Sequence, residues 1–380
     1  MRAAVLGLVV FSGGCSFSAS TGNTPGDGTA LDSNGDGPPG CTSYSVLFDS
    51  CTQTPAGTTE LTLAGMNSYN TSNHVLTTPG GALMPAHLVI DGGAGPVDVV
   101  FLSSFTLAEG ATLRALGERG FMIAASGPVQ IDGTLESIGP GAGSRTDAVC
   151  LTSTGSKGVN NTGGGGGGGG GGFQGAGGGG SKGDDDGNQV LGGPGGVMLA
   201  RPAGPTGGCD GGAGGAANGG SGAGGDGGGA VVISSGTSIA ISATGKLNVG
   251  GSGGRGGGGN GRGGGGGGSG GMILLESANV MVRGVLAANG GGGGEGNTTG
   301  NPGLSGLASA DPAPGGIDGD GNGGDGAPGS AGAVLIGTTS SDAQNGGGGG
   351  GGGGAGYIAI RCPLPMITSS TISPPYMPWP

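Results

Sequence analysis

Phe121-Met122-Ile123-Ala124, then Val129-Gln130-Ile131-Asp132-Gly133-Thr134-Leu135, is a pattern that returns twice further along the chain. The second copy runs Val231-Val232-Ile233-Ser234, then Ile239-Ala240-Ile241 and on to Leu247. The third runs Met272-Ile273-Leu274-Leu275, then Val280-Met281-Val282-Arg283-Gly284-Val285-Leu286. In every copy the second apolar run starts eight residues after the first, and a leucine is followed four residues on by glycine, at Gly139, Gly251 and Gly290. Short runs rich in Val, Ile and Leu and bounded by glycine read as buried strands. None is long enough to make a core alone, but repeats stacked on one another share one continuous core. Partial copies flank the three. Leu107 to Leu113 repeats the Ile131 to Leu135 theme with two extra residues, and Val197-Met198-Leu199, Val334-Leu335-Ile336 and Tyr357-Ile358-Ala359-Ile360 repeat the first strand. The pattern predicts an all-β chain folded as a parallel β-helix (solenoid) or a close relative.

Between the strands lie runs of pure glycine, Gly163 to Gly172, Gly263 to Gly268 and Gly346 to Gly354. Glycine loses more backbone entropy on ordering than any other residue, so such runs ordinarily mean disorder. Their position where each repeat turns back supports a second reading. Without Cβ atoms, polyproline-II-like chains can lie side by side and share N–H···O and Cα–H···O bonds. A glycine layer on one face of the solenoid is the expectation, with flexible loops as its rival.

Composition removes many functions. The chain has 380 residues, of which 111 are glycine and 22 proline, with 9% charged and 3% aromatic residues. A net charge of −12 with only 12 Lys and Arg argues against nucleic acid as a partner, because phosphate contacts need clustered cations. The glycines do not hold a G-X-Y frame, which excludes collagen. No apolar run reaches the roughly 18 residues of a membrane helix. Glycine's poor helix propensity, about 1 kcal/mol below alanine, disfavours a helical or α/β enzyme.

The N-terminus reads as an address. Arg2 is followed by the apolar run Ala3 to Phe11 and then by Ser12-Gly13-Gly14-Cys15. The run is too short to span a bilayer and right for a signal peptide. Small residues before a cysteine resemble the bacterial lipobox, whose cysteine is acylated and becomes the mature N-terminus. Ser12 stands where that motif usually has leucine. The resemblance implies residues 1–14 as a lipoprotein-type signal, lipidation of Cys15, and export to the outer membrane, since Ser16 rather than Asp follows. The other reading is a plain secretory signal cut among Ser16 to Ser20. Residues 15–40 read as a flexible tether. Within it Asp32-Ser33-Asn34-Gly35-Asp36-Gly37 matches half a calcium loop, but Ser43 stands where the bidentate glutamate belongs, so a solvated acidic linker is expected.

An exported chain meets oxidising conditions, so its cysteines are expected to pair. With Cys15 lipidated, Cys41 and Cys51 can close a small loop, Cys150 and Cys209 can bracket the first glycine-rich insertion, and Cys362 is left over. Metal binding is the rival, but no C-x-x-C occurs and His74 and His87 lie far from the cysteines in sequence.

Several catalytic signatures fail on inspection. G-x-S-x-G occurs around Ser181, Ser252 and Ser269, as often as so much glycine produces by chance. Gly315 to Asn322 has the wrong phase for a calcium nonapeptide, and Asp184-Asp185-Asp186 reads as a solvated loop tip. Polysaccharide-cleaving β-helices resemble one another in acids on adjacent rungs with a nearby cation. Here Asp132 is the clearest strand-borne acid, with Ser242 and Arg283 in the related places. A chain with one Trp and four Tyr has few aromatic platforms for sugars. No catalytic, cofactor or metal residue is assigned.

Ser12 to Cys15, Ile131 to Leu135, Ser269-Gly270-Gly271-Met272-Ile273-Leu274-Leu275 and Ala287-Ala288-Asn289-Gly290-Gly291 together resemble a family of uncharacterised glycine-rich exported lipoproteins of Gram-negative bacteria with β-helix-like repeats. That resemblance implies a fold and an address, and no activity. Gly211 to Ala230 is more loosely similar to the glycine-rich domains of mycobacterial surface proteins. Residues 41–105 are expected to form an N-terminal cap and first strands, 106–361 the glycine-rich β-helix, and 362–380 a Pro-rich tail laid over the last rung, with Tyr376, Met377 and Trp379 covering strand edges. The role expected is a non-catalytic structural or adhesive component of the cell envelope, lipid-anchored at the outer membrane or surface, or else secreted. Its partners would be the membrane and surface polysaccharide or other envelope components. The alternatives are a polysaccharide-binding or polysaccharide-degrading protein, and a regular glycine face that binds ice.

Overall fold

The computed structural model describes residues 41–144, 148–184, 189–217, 219–297, 300–317, 322–341 and 346–380. The signal peptide, Cys15, the tether with its half calcium loop, Asp185 and Asp186, and the centre of the Gly315 to Asn322 segment lie outside the described residues. Among the described residues no helix is long and apolar enough to cross a membrane.

The protein is all-β, with three largely parallel sheets. The chain opens with β1 (Glu60–Leu63), β2 (Met66–Asn70), β3 (Val75–Thr78), β4 (Gly81–Leu83), β5 (His87–Asp91) and β6 (Pro96–Leu102). Strands then come in threes. The first trio is β7 (Ser104–Leu107), β8 (Thr112–Leu116) and β9 (Gly120–Ala125). The second is β10 (Val129–Ile131), β11 (Thr134–Glu136) and β12 (Ala230–Ser235); the third is β13 (Ile239–Ile241), β14 (Lys246–Asn248) and β15 (Met272–Ser277). The fourth is β16 (Val280–Val282), β17 (Val285–Ala287) and β18 (Tyr357–Arg361), and the fifth is β19 (Met366–Ile367), β20 (Thr371–Ser373) and β21 (Met377–Pro378). Each trio adds one strand to each sheet: β1-β7-β10-β13-β16-β19, β2-β8-β11-β14-β17-β20 and β6-β9-β12-β15-β18-β21. Antiparallel β3, β4 and β5 finish two of the sheets at the N-terminal end.

Register explains the sequence pattern. Leu113, Leu135, Leu247 and Leu286 are partners on successive strands, as are Leu107, Ile131, Ile241 and Val282. Together with Phe121, Ile123, Val231, Ile233, Ile273 and Leu275 they form one apolar core between the sheets. The leucine-to-glycine spacing continues this register beyond the strands, since Gly139 donates to Gly250 O and Gly251 to Asn289 O. The third sheet is buried on both faces. Met122, Val232, Met272, Leu274 and Tyr357 point away from the first core into a second one, covered by Phe48, Phe173 and Trp379.

Four expectations are corrected. The third copy is one residue shorter than the other two, because Ile273, not Met272, pairs with Val231. Strands buried on both faces show no polar alternation, so nothing in the sequence marks that slip. Val197–Leu199 and Val334–Ile336 are not strands: Leu199 N donates to Phe173 O and Val334 N to Ala331 O, among the glycine segments. The tail does not merely cover the last rung; it supplies β19, β20 and β21. Its proline at 378 sits in an edge strand, where a missing N–H breaks no ladder. Finally, the boundary drawn at 105/106 falls inside β7.

All three long excursions leave from the same corner. Residues 137–229 follow β11, 249–271 follow β14 and 288–356 follow β17, and each returns as a strand of the third sheet. In the first trio that corner needs only residues 117–119. The excursions are ordered by backbone bonds of fixed period. Gly165, Gly168 and Gly171 donate to Gly261, Gly264 and Gly267; Gly166, Gly169 and Gly172 donate to Val159, Ser156 and Ser153; Gly167, Gly170 and Phe173 donate to Ser181, Gly178 and Gly175. The carbonyls of the same run accept from Gly193, Gly196 and Leu199, from Gly212 and Gly215, and from Gly348, Gly351 and Gly354. A bond to the same neighbour at every third residue is the period of a polyproline-II helix.

The run Gly163 to Gly172 is therefore surrounded by six segments, and Gly263 to Gly268 by six of its own: those around Gly168, Gly212, Gly225, Ser252, Gly291 and Gly351. With neighbours on all sides, no direction is left for a side chain. A Cβ at Gly167 would land on Gly349 O, one at Gly265 on Ala223 O, and one at Gly350 on Gly265 O. Outer segments keep less glycine, at one position in three in Ser153 to Val159 and at two in three in segments whose remaining position turns outward. Leu191, Pro194 and Val197, Ala223 and Asp226, and Ser252 and Arg255 occupy those outward places. Glycine content thus tracks how many sides of a segment are buried.

Candidate functional site

The outer surface of the glycine array presents side chains at a three-residue interval, roughly 9 Å along a polyproline-II chain. Two neighbouring outer segments are joined by Ser156 N to Pro194 O, Val159 N to Leu191 O and Val197 N to Thr152 O. They expose Leu151, Val159, Leu191, Val197 and Met198, with Leu151 78% and Met198 66% accessible. Val334 and Ile336 stand out elsewhere on the array, as do Leu304 and Ile317. Exposed apolar side chains grouped in this way mark contact surfaces.

Asp132, Ser242 and Arg283, weighed above for polysaccharide cleavage, make no hydrogen bond or ion pair with one another. Ile131, Ile241 and Val282 are in register, so Asp132, Ser242 and Arg283 follow on three successive strands. Ser242 lies between the other two, and two strand spacings separate Asp132 from Arg283 by roughly 10 Å. Asp132 instead accepts a 2.6 Å bond from Gln130 Nε2. The three serines of the G-x-S-x-G matches cap backbone amides: Ser181 Oγ accepts from Gly349, Ser252 Oγ from Asp226 and Ser269 Oγ from Cys209.

A polar cluster that the sequence analysis missed sits at the N-terminal end. Asp98 lies in the apolar strand β6 and is fully buried. Its Oδ2 accepts from Tyr69 OH at 2.8 Å and lies 2.9 Å from His74 Nδ1. His87 stacks on His74, with ring centroids 4.0 Å apart. Burial and the Asp98 bond push the Tyr69 phenol far up, so it remains a donor. The cluster ties the β2–β3 hairpin to the third sheet. No group of three His, Cys, Asp or Glu among the described residues is placed to hold a metal. One acid in the otherwise apolar run Val97 to Leu102 was the available signal.

A second buried acid anchors the N-terminal loop. Glu276 of β15 accepts from Ser45 Oγ at 2.8 Å, from Ser234 Oγ, and from Val46 N at 3.3 Å. Burial raises its pKa, against the opposing effect of these bonds and of Arg361. Disulfides join Cys41 to Cys51 and Cys150 to Cys209. The first closes the loop that carries Ser45 and Phe48, whose ring packs edge-on against Phe101. Cys362 is in neither disulfide, and its thiol lies 3.5 Å from Ala278 O.

Asp210 yields a pH prediction. Its carboxyl is pushed up to about 6, chiefly by burial and further by the Asp226 carboxylate, while a bond from Gly227 N opposes the shift. A carboxyl whose folded pKa is raised binds its proton more tightly in the folded state. Its contribution to stability is complete below about pH 4 and is lost as pH rises to about 6. Melting temperature should therefore fall across that window, and less so in Asp210→Asn, whose side-chain oxygen still accepts from Gly227. Equal slopes for the two proteins would refute the assignment.

Comparison with known proteins finds no match among protein families, curated proteins or solved structures.

Proposed function

We propose that this chain is a non-catalytic cell-envelope lipoprotein, a structural or adhesive surface component. In this reading the three ladders wind as a parallel β-helix. That scaffold holds a bundle of polyproline-II-like glycine segments out to one side, where they form the display surface. The observation that carries the reading is the common corner from which all three excursions leave, between the second and third sheets. A solenoid with every insertion on one side presents one extended face, as repeat proteins do when they bind. The lipobox-like Ser12 to Cys15 and the Ser/Thr/Gly-rich residues that follow supply anchor and tether. Several acyl chains on one cysteine anchor firmly, where a single chain holds only marginally.

The intact mass of the mature N-terminal peptide, from protein made in a Gram-negative host, tests the anchor. A diacylglyceryl and acyl adduct on Cys15 is expected; an unmodified terminus beyond Cys15 would make the protein a released one. The non-catalytic part is tested separately. Purified protein is expected to release no reducing ends from envelope or plant polysaccharides. Turnover that disappears in Asp132→Asn would replace the structural reading with the polysaccharide-degrading one.

A further inference from the structure

The chain's only tryptophan, Trp379, lies at the edge of a cleft of about 530 Å³ on the outer side of the third sheet. Four separate parts of the chain build it: Val46 and Leu47 of the N-terminal loop, Asp91 to Gly93 at the end of β5, Arg201 to Ala203 between two glycine segments of the first excursion, and the residues after β21. Each part is fixed independently. The loop is held by the Cys41–Cys51 disulfide and the Glu276 bonds, and Asp91 Oδ1 accepts from Gly93 N at 2.9 Å. Leu199 O accepts from Tyr357 OH, and Trp379 N donates to Ile360 O.

Arg201 is the unusual group. Its guanidinium lies 5.3 Å from the Trp379 ring centre. Arg201 belongs to neither the His74–Asp98 nor the Arg114–Glu136 pair, and its guanidinium rests on an aromatic face. A guanidinium stacked on indole keeps its planar fork of donors free, which suits a carboxylate taken by two parallel bonds. Asp91 also lines the cleft and brings an acceptor for hydroxyl groups. Trp379, Leu47 and Pro202 add apolar wall. A cation seated on indole, an aspartate acceptor and apolar side chains around them match a small polyhydroxylated acid. A nucleic acid, with a charge on every residue and a need for clustered cations, is not served by a single arginine beside Asp91.

We propose that this cleft binds a uronic-acid residue of an acidic glycan, with Arg201 on the carboxylate and Asp91 on sugar hydroxyls. The site requires neither the lipid anchor nor adhesion by the glycine array, so it stands if either of those fails.

Trp379 reports on the site directly. Galacturonic acid trimer should give a saturable change in tryptophan emission when titrated into the full chain, and the neutral galactose trimer should give none. Arg201→Gln should weaken binding about tenfold or more, and Arg201→Lys, which keeps the charge but loses the fork, by less. Arg114→Gln, on the second sheet, should bind as the parent does. Melting temperatures of the variants that match the parent would show the fold around Trp379 intact. Absence of a saturable response, an equal response to the neutral trimer, full competition by acetate at the same concentration, or unchanged binding by Arg201→Gln would each overturn the assignment.

Discussion

Replacing Gly167 by alanine is expected to cost about 3 kcal/mol or more, far beyond an ordinary Gly-to-Ala change. Gly-to-Ala usually stabilises where the backbone permits it, because the unfolded chain has less entropy to lose. At Gly167 the added methyl would meet Gly349 O, which is main chain and cannot rotate away. Moving it means moving the whole Gly346 to Gly354 run, which is itself bonded on all sides. Gly265→Ala and Gly350→Ala should behave alike, since their methyls would meet Ala223 O and Gly265 O. Ala223→Ser, at an outward place on a peripheral segment, should change stability by no more than about 0.5 kcal/mol. Denaturation of the four variants side by side checks the contrast. If Gly167→Ala is as harmless as Ala223→Ser, the glycine runs are not packed as described.

Removing the Cys150–Cys209 disulfide should cost about 4 kcal/mol, from a loop closed across 59 residues of sequence. The Cys41–Cys51 bridge, across 10 residues, should be worth about 3 kcal/mol on the same entropic account. The larger effect falls where the fold needs it most. Ordering the backbone costs about 1–2 kcal/mol per residue, and glycine lies at the high end. One net hydrogen bond returns only about 1 kcal/mol. Glycine segments without side chains to bury depend on having their ends held. Cys150 and Cys209 lie at the starts of two adjacent segments, bonded by Gly155 N to Asp210 O and Gly158 N to Ala213 O. The double variant Cys150→Ala/Cys209→Ala should therefore melt in two steps in a calorimeter, the first excursion before the parallel ladders. A single transition at the parent temperature would contradict this.

The ladders were legible in the sequence because their register is tied to single residues. Leu135, Leu247 and Leu286, each with its glycine four positions on, align without any structure and are partners in it. The third sheet was less readable, because strands buried on both faces carry no alternation to fix their phase. The reading that the glycines hold no G-X-Y frame is corrected for parts of the glycine array. Its outer segments do carry a G-G-X frame, as in Gly192-Gly193-Pro194-Gly195-Gly196-Val197 and Gly250-Gly251-Ser252-Gly253-Gly254-Arg255, but the frame resets at every turn. Val197–Leu199 read as a strand for the same reason: a short apolar triplet does not distinguish a period of two from a period of three. Asp98 was visible as one acid in an apolar strand, whereas its partners Tyr69 and His74 come from a hairpin no periodicity connects to it. The Arg201–Trp379 pair joins residues 178 positions apart and had no sequence signal at all.

Hydrogen exchange of the backbone amides, resolved along the chain, separates an ordered glycine array from flexible loops most directly. Amides of Gly163 to Gly172, Gly263 to Gly268 and Gly346 to Gly354 should be protected to an extent comparable with those of β12 and β15, because every third N–H bonds to the same neighbour. Exchange of these runs at the rate of an unstructured chain, with the strands still protected, would contradict the account and leave only the three parallel sheets.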